Sequence, residues 1–144
     1  MINKRFVPLI AAAFSLLMAV VLVVGAAAAP DPFRGKWYST DVDFSSQSLV
    51  MGGGPGGSYH VRYYDAGASV CGWTVGSSGP AASAQGFLSL TAAPDPTISG
   101  NLQVYCLTSP PTPYPAAGSP SAFSFTYVPA TDELIDGHGV VWSH

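Results

Sequence analysis

Glycine and proline interrupt this chain so often that a helix of ordinary length has almost nowhere to form. After the first 29 residues, only the stretch from Lys36 to Met51 runs for 16 residues without either one, and it is rich in Ser, Asp and Val, which are poor helix formers. Elsewhere, short apolar and polar alternations recur at roughly the eight-to-twelve-residue spacing of sandwiches and barrels. The chain is therefore predicted to be all-β.

Eight candidate strands follow from this alternation. They cover residues 33–41, 47–51, 58–65, a short stretch around Cys71, 85–91, 101–107, 122–128 and 133–142. DGHG interrupts the last strand, and the proline-rich segment 109–120 is a predicted loop. One face of the strands is apolar and the other holds nearly all the charge, as in antiparallel sheets with one wet face. Because closing a meander removes its edges, we predict a small antiparallel meander β-barrel of about eight strands, with a two-sheet β-sandwich as the alternative.

The first 29 residues differ in kind from the rest. Two basic residues precede an apolar run over residues 6–24, which GAAAAP follows, and this order is the three-part form of an export signal. We predict an N-terminal signal helix over residues 1–28, cleaved after Ala28, and a single β-barrel domain over residues 29–144. The alternative is an uncleaved membrane anchor, since roughly 19 apolar residues nearly span a bilayer. The protein is thus expected to be extracellular or in the cell envelope.

Signal removal would leave an acidic protein. Beyond residue 28 the basic residues are Arg34, Lys36 and Arg62, and these three positive charges against eight negative ones give a formal net charge of −5. Such a surface repels nucleic acid and anionic lipid. We expect no nucleic-acid partner, and membrane contact only through the N-terminal segment if it is retained.

The cysteines are Cys71 and Cys106. Two cysteines in an oxidising compartment predict a disulfide, and two buried free thiols are the alternative. In a strict meander they would lie two strands apart, about 9 to 10 Å, whereas bridged Cα atoms rarely exceed about 7 Å. The gap closes if the strand at Cys71 is short and residues 72–83 cross the start of the next strand, and we predict that arrangement.

The segment GGGPGG contains a pattern typical of phosphate-binding loops. Gly52, Gly54 and Gly57 satisfy G-x-G-x-x-G, but YHVRYYD follows and is typical of a strand, whereas a dinucleotide-binding loop opens a helix. We interpret the segment as a flexible connection between the second and third strands. If the protein binds a ligand, this loop is expected to act as a gate at one mouth of the barrel.

Asp41, Asp43 and Ser45 are spaced like the start of a calcium loop. Ser46 stands where the loop needs Gly, and Gly52 stands where it needs a bidentate Glu. These residues are therefore interpreted as turn residues whose side chains bond their own backbone.

No pattern selects a catalytic residue. The three histidines share no face at ligand spacing, and no G-x-S-x-G elbow is present in the sequence. Asp41, Asp65 and Asp136 could meet in space as an acidic site for hydrolysis. We assign no catalytic residue, no metal and no cofactor, and an enzyme is the less favoured class.

Aromatic residues are the remaining signal. Eight short strands enclose just enough room for their own side chains, so most aromatic residues are expected to fill the barrel. If the barrel instead holds a ligand, the candidate contacts are Trp37, Tyr59, Tyr63, Trp73 and Tyr127.

Two resemblances bear on function. Gly35-x-Trp37, within FRGKWYSTD, resembles the first-strand signature of lipocalin-like and avidin-like barrels, which implies a small hydrophobic ligand or a vitamin held by tryptophans. Of the ligand residues in those families, only Trp37 carries over. W-x-S-T-D-x-D, Y-x-V-x-Y-x-D-x-G-A-S-V-C and F-x-Y-x-P-A-T-D-x-L-x-D-x-x-G-x-x-W resemble a group of uncharacterised exported bacterial proteins and imply no activity.

The leading functional prediction is a secreted, disulfide-bonded β-barrel that acts as a binding or interaction module. Its ligand would be a small apolar molecule, a glycan or another exported protein. The alternatives are a secreted hydrolase with an acidic site and a structural component of the cell surface.

Overall fold

The computed structural model describes residues 30–41, 43–53, 55–75, 79–91, 94–115 and 120–144. Asp31–His144 is one compact unit. The predicted signal segment lies outside the described residues. Within the described part of the chain, no helix has the length and apolar character needed to cross a membrane.

The described residues contain nine antiparallel strands in a single sheet. The strands are β1 (Gly35–Thr40), β2 (Ser46–Gly53), β3 (Ser58–Asp65), β4 (Ala82–Thr91), β5 (Thr97–Cys106), β6 (Thr112–Tyr114), β7 (Ser121–Val128), β8 (Glu133–Asp136) and β9 (Val141–Trp142). Neighbours in sequence are neighbours in the sheet, except that β5 pairs with both the short β6 and β7. The sheet is therefore a meander with β6 added beside β5.

The two ends of the meander meet. The Tyr38 N–H donates to the Ser143 carbonyl oxygen at 2.7 Å, and the Ser143 N–H donates to the Tyr38 carbonyl oxygen at 3.0 Å. Close by, the Ser39 hydroxyl donates to the Val141 carbonyl oxygen at 2.7 Å. These bonds bring the sheet nearly to closure and cover the edges that an open meander would leave. The predicted all-β meander barrel is confirmed in place of the two-sheet sandwich.

Strand alternation directs a row of apolar side chains into the barrel. The largest fully buried ones are Trp37, Trp142, Phe33, Phe125, Leu49, Leu88, Ile98, Leu102, Leu134 and Val61. Phe33, just before β1, packs edge-on against Tyr59 and Tyr127, with ring centroids 5.3 and 6.3 Å away. Its carbonyl oxygen accepts a hydrogen bond from the Trp37 indole N–H at 3.2 Å. We call this aromatic cluster, at the end of the barrel where β1 begins, the filled end.

The predicted strand around Cys71 is wrong, because this segment is a 3-10 turn, Ser69–Cys71. Asp65 ends β3 by accepting a hydrogen bond from the Gly67 N–H at 3.0 Å, which turns the chain. Gly67 then packs so closely on Trp73 that a Cβ atom would lie 2.5 Å from the indole ring. Gly72 has a φ of 88°, in the left-handed region that glycine favours. Extended backbone therefore cannot continue through this segment.

One further difference lies near the C-terminus, where the proline-rich segment that is predicted as a loop contributes the three-residue strand β6. The predicted interruption of the last strand at DGHG is confirmed, because a turn separates β8 from β9. The Asp136 carboxylate holds this turn by accepting hydrogen bonds from the N–H groups of His138 and Val140, at 2.9 and 3.0 Å.

The predicted disulfide between Cys71 and Cys106 is confirmed, with Cα atoms 5.5 Å apart. Cys106 ends β5 and pairs with Ala82 at the start of β4. Because β4 lies between β3 and β5, the loop that carries Cys71 reaches past the start of β4 to meet β5. Both cysteines therefore lie at the same end of the barrel, as predicted.

Replacing Cys71 and Cys106 together by Ala is expected to lower the free energy of unfolding by about 3 to 4 kcal/mol. The reason is that the disulfide closes a loop in the unfolded chain and so lowers its conformational entropy. Urea unfolding followed by circular dichroism measures the change. A reducing agent should shift the wild-type midpoint and leave that of the double variant unchanged. A wild-type urea midpoint that is the same with and without the reducing agent would contradict the prediction.

Candidate functional site

A cavity of about 390 Å³ lies at the end of the barrel opposite the filled end. It is lined by residues where β3 and β5 end, where β2, β4 and β7 begin, and in the turn between β8 and β9. We call it the end cavity. The glycine-rich connection between β2 and β3 lies at the filled end and does not line the end cavity.

Aromatic rings from three strands line the end cavity. The Tyr63 ring centroid lies 5.6 Å from that of Phe123 and 6.0 Å from that of Trp142. Phe125 meets Trp142 edge-on at 5.8 Å. Tilted and edge-on contacts of this kind between aromatic rings are favourable.

Asp65 is a buried carboxylate, 5% exposed, in the wall of the end cavity. Its Oδ1 accepts hydrogen bonds from the Ser45 hydroxyl at 2.9 Å and from the Gly67 N–H at 3.0 Å. Its Oδ2 accepts from the Tyr63 hydroxyl at 3.4 Å. A buried charge is tolerated when its oxygens are bonded in this way. Asp65 thus joins the end of β3 to the turn before β2.

Asp136 has a similar role on the other side of the end cavity. Besides holding the turn between β8 and β9 through Oδ1, it accepts a hydrogen bond at Oδ2 from the Trp142 indole N–H at 3.2 Å. The carboxylate therefore sets the orientation of the Trp142 ring. It also places a negative charge beside the aromatic wall.

Gln47 completes the polar part of the wall. Its side chain is 6% exposed, and its Nε2 donates to Asp41 Oδ2 and to the Tyr63 hydroxyl oxygen, both at 2.9 Å. Its Oε1 has no hydrogen-bond partner among the described residues. Buried acceptors without a donor are uncommon in native structures, and this one belongs to a residue that lines the end cavity.

Tyr63 lies between these polar groups, and its ionisation is strongly disfavoured. Burial is the largest cause that raises the pKa of Tyr63 far above its usual value, and the negative charges of Asp65 and Asp41 act in the same direction. The phenol therefore stays protonated at neutral pH. It donates to Asp65 and accepts from Gln47, which links both sides of the wall.

The three aspartates that the sequence singles out as a potential acidic site all line the end cavity. Asp65 and Asp136 use both carboxylate oxygens to accept hydrogen bonds from the protein. Within the described residues, no group of three or more His, Cys, Asp or Glu side chains is placed so that it could hold a metal ion. Asp43 accepts a hydrogen bond from the Ser45 N–H at 3.0 Å, so it has the turn role that the sequence predicts.

Of the five aromatic residues predicted as ligand contacts, Tyr63 is the one that the structure brings to the end cavity. Trp37 is fully buried between the two ends, and Tyr59 and Tyr127 belong to the filled end. Trp73 lies in the loop between β3 and β4, where its ring packs on Gly67.

Gln47, Phe123 and Trp142 line the end cavity, and sequence reasoning does not select them as ligand contacts. Phe123 and Trp142 carry the inward signal of strand alternation, and Gln47 is polar at a position that also faces inward. A polar residue on the inner face near a strand end is the signal that could have found this site.

Comparisons of the chain with protein-family models, with curated proteins and with solved structures gave no match. Fold and cavity are therefore the basis on which a function can be assigned. They define a small disulfide-bonded β-barrel that is filled at one end and hollow at the other.

Replacing Tyr63 by Phe is expected to reduce the loss of stability at alkaline pH. Because the folded-state pKa of Tyr63 is raised, folding favours the protonated phenol, and this contribution is complete below the unfolded pKa of about 10 and declines as the pH rises above it. Urea midpoints measured from pH 8 to 11 should fall less steeply in the variant. Tyr64→Phe, on the barrel exterior, is the matched control and should follow the wild type. Identical slopes for Tyr63→Phe and wild type would contradict the prediction.

Replacing Asp65 by Asn is expected to lower the free energy of unfolding by about 1 to 3 kcal/mol. The reason is that one carboxylate oxygen becomes an amide NH₂ group, which cannot accept a hydrogen bond from the donors around it. Urea unfolding at pH 7 measures the change. The exposed Asp95→Asn variant removes the same charge at the other end of the barrel and should change stability by no more than about 0.5 kcal/mol. Equal effects of the two substitutions would show that Asp65 does not hold the turn.

Proposed function

We propose that this protein is an exported binding module whose end cavity takes a small molecule with an apolar body. The observation that carries the proposal is the aromatic wall of Tyr63, Phe123, Phe125 and Trp142 beside a few polar groups in a cavity of about 390 Å³. Ligand sites are typically concave, mainly apolar and roughly 300 to 1,000 Å³ in volume, with few polar groups that orient the ligand. The end cavity has each of these properties.

Export is supported by two observations. The disulfide between Cys71 and Cys106 fits an oxidising environment outside the cytoplasm. The N-terminal sequence has the order of charge, apolar run and small residues that is typical of a signal peptide. The Gly35-x-Trp37 resemblance to lipocalin-like and avidin-like barrels is in keeping with a ligand inside the barrel.

Binding is favoured over hydrolysis by the hydrogen bonds of the aspartates. A glycosidase needs one carboxyl group to donate a proton and a second to act as base or nucleophile. Asp65 and Asp136 instead accept hydrogen bonds at both oxygens from backbone and side-chain donors of the protein. This is the arrangement expected of residues that shape the cavity. A purely structural role at the cell surface would leave the aromatic wall without a use.

The neutral fluorescent probe N-phenyl-1-naphthylamine is expected to bind the purified protein saturably, with an increase in emission as it enters the end cavity. Phe123→Ala should weaken this binding about tenfold, since an aromatic contact and its buried area are lost. Phe87→Ala is the matched control, because Phe87 is 67% exposed on the barrel exterior and does not line the cavity. Circular dichroism checks that both variants fold.

Equal weakening by Phe123→Ala and Phe87→Ala would place the probe outside the end cavity. A lack of saturable binding to the wild type, by fluorescence and by calorimetry, would overturn the proposed function.

A further inference from the structure

The charged groups of the end cavity are carboxylates with no Lys or Arg among them, and His138 is the histidine in the lining. Asp41, Asp65 and Asp136 contribute three formal negative charges to the lining. The lysine and arginine residues of the described chain lie elsewhere: Lys36 and Arg62 are exposed, and the Arg34 guanidinium donates to the Gly53 carbonyl oxygen at the filled end. A cation that enters the cavity therefore gains electrostatic energy that a neutral molecule does not, and an anion is repelled.

The unpaired Gln47 oxygen adds a directional requirement. The amide cannot be reversed, because a reversed amide would point Oε1 at the Asp41 carboxylate, which accepts the Nε2 hydrogen bond at 2.9 Å. Oε1 thus remains a buried acceptor without a donor among the described residues. A ligand N–H that reaches it would remove the cost of leaving it unpaired.

The aromatic wall favours the same kind of ligand. Tyr63 and Trp142 meet at 6.0 Å beside the carboxylates, and ring faces of this type attract ammonium groups. A quaternary ammonium would be attracted by the carboxylates and by the aromatic rings, but it has no N–H to donate to Gln47 Oε1. A primary or secondary ammonium can make all three interactions.

We propose that the end cavity binds a small molecule with a protonated primary or secondary amine on an apolar body. The ammonium N–H donates to Gln47 Oε1 and lies in the negative field of the three aspartates, while the apolar body packs against Phe123 and Trp142. This inference rests on the proposed small-molecule binding function and names its ligand class.

A set of probes matched in size tests the ligand class at pH 7 and low ionic strength. 2-Phenylethylamine, 2-phenylethanol, phenylacetate and phenyltrimethylammonium are each titrated calorimetrically and in competition with N-phenyl-1-naphthylamine. The primary amine is expected to bind at least tenfold more tightly than the alcohol and the quaternary ammonium, and phenylacetate is expected to be the weakest. Salt should weaken the amine more than the alcohol.

The outcomes separate the two proposals. If the neutral alcohol binds as tightly as the amine, the ligand-class inference fails while the binding function stands. If the quaternary ammonium equals the primary amine, the role of Gln47 fails. If Phe123→Ala weakens the binding of N-phenyl-1-naphthylamine but 2-phenylethylamine does not displace this probe from the wild type, the ligand-class inference fails and the binding function stands. If no probe binds at all, both proposals fail.

Two variants test the named groups. Asp41→Asn keeps an acceptor for the Gln47 amide and removes one charge, so the affinity for 2-phenylethylamine should fall about tenfold while that for 2-phenylethanol changes little. Asp95→Asn removes the same charge at the filled end and should leave both affinities unchanged. Gln47→Met removes the unpaired oxygen and should narrow the preference for the primary over the quaternary ammonium. Equal effects of Asp41→Asn and Asp95→Asn on the amine would overturn the inference even if Gln47→Met does not fold.

Discussion

The pairing of Tyr38 with Ser143 is the contact on which the rest of the molecule depends. Two backbone hydrogen bonds between these residues join the start of the meander to its end. Without them, β1 and β9 would be open edges, and the side chains that face inward would cover one side of a curved sheet instead of an enclosed interior. Every burial and every cavity wall inside the barrel follows from this near-closure.

Near-closure by itself does not decide whether the interior is filled or hollow. At one end, Phe33 precedes β1, and its ring packs against those of Tyr59 and Tyr127. At the other end, aromatic and polar side chains near the strand ends line the end cavity. Phe33, placed just before the first strand, thus helps to fill one end of the barrel.

The aspartates of the hollow end combine a structural and an electrostatic role. Asp65 and Asp136 turn the chain after β3 and β8 by accepting backbone hydrogen bonds. Because the same carboxylates line the cavity, the turns that the fold requires also give the interior its negative charge. The disulfide between Cys71 and Cys106 secures the loop beside them.

Sequence reasoning succeeded where a short-range pattern carries the information. The all-β class, the boundaries of β3 and the pairing of the two cysteines follow from alternation, glycine and proline placement and cysteine count. It failed around Cys71, because β3 has already ended at Asp65 and this segment is a 3-10 turn, Ser69–Cys71. The glycine-rich loop lies at the end of the barrel opposite the end cavity. Of the five predicted ligand contacts, Tyr63 alone lies in the end cavity, because alternation shows that a side chain points inward but not at which height of the barrel it lies.

The sequence by itself determined the meander of short strands and the disulfide, since these depend on local conformational preference and on the residue types present. Only the tertiary structure decided that Asp41, Asp65 and Asp136 surround one cavity, and that the Gln47 carbonyl oxygen is left without a donor. These residues are far apart in the chain, and their proximity depends on strand register and near-closure. Those are properties of all the strands together and of no single segment.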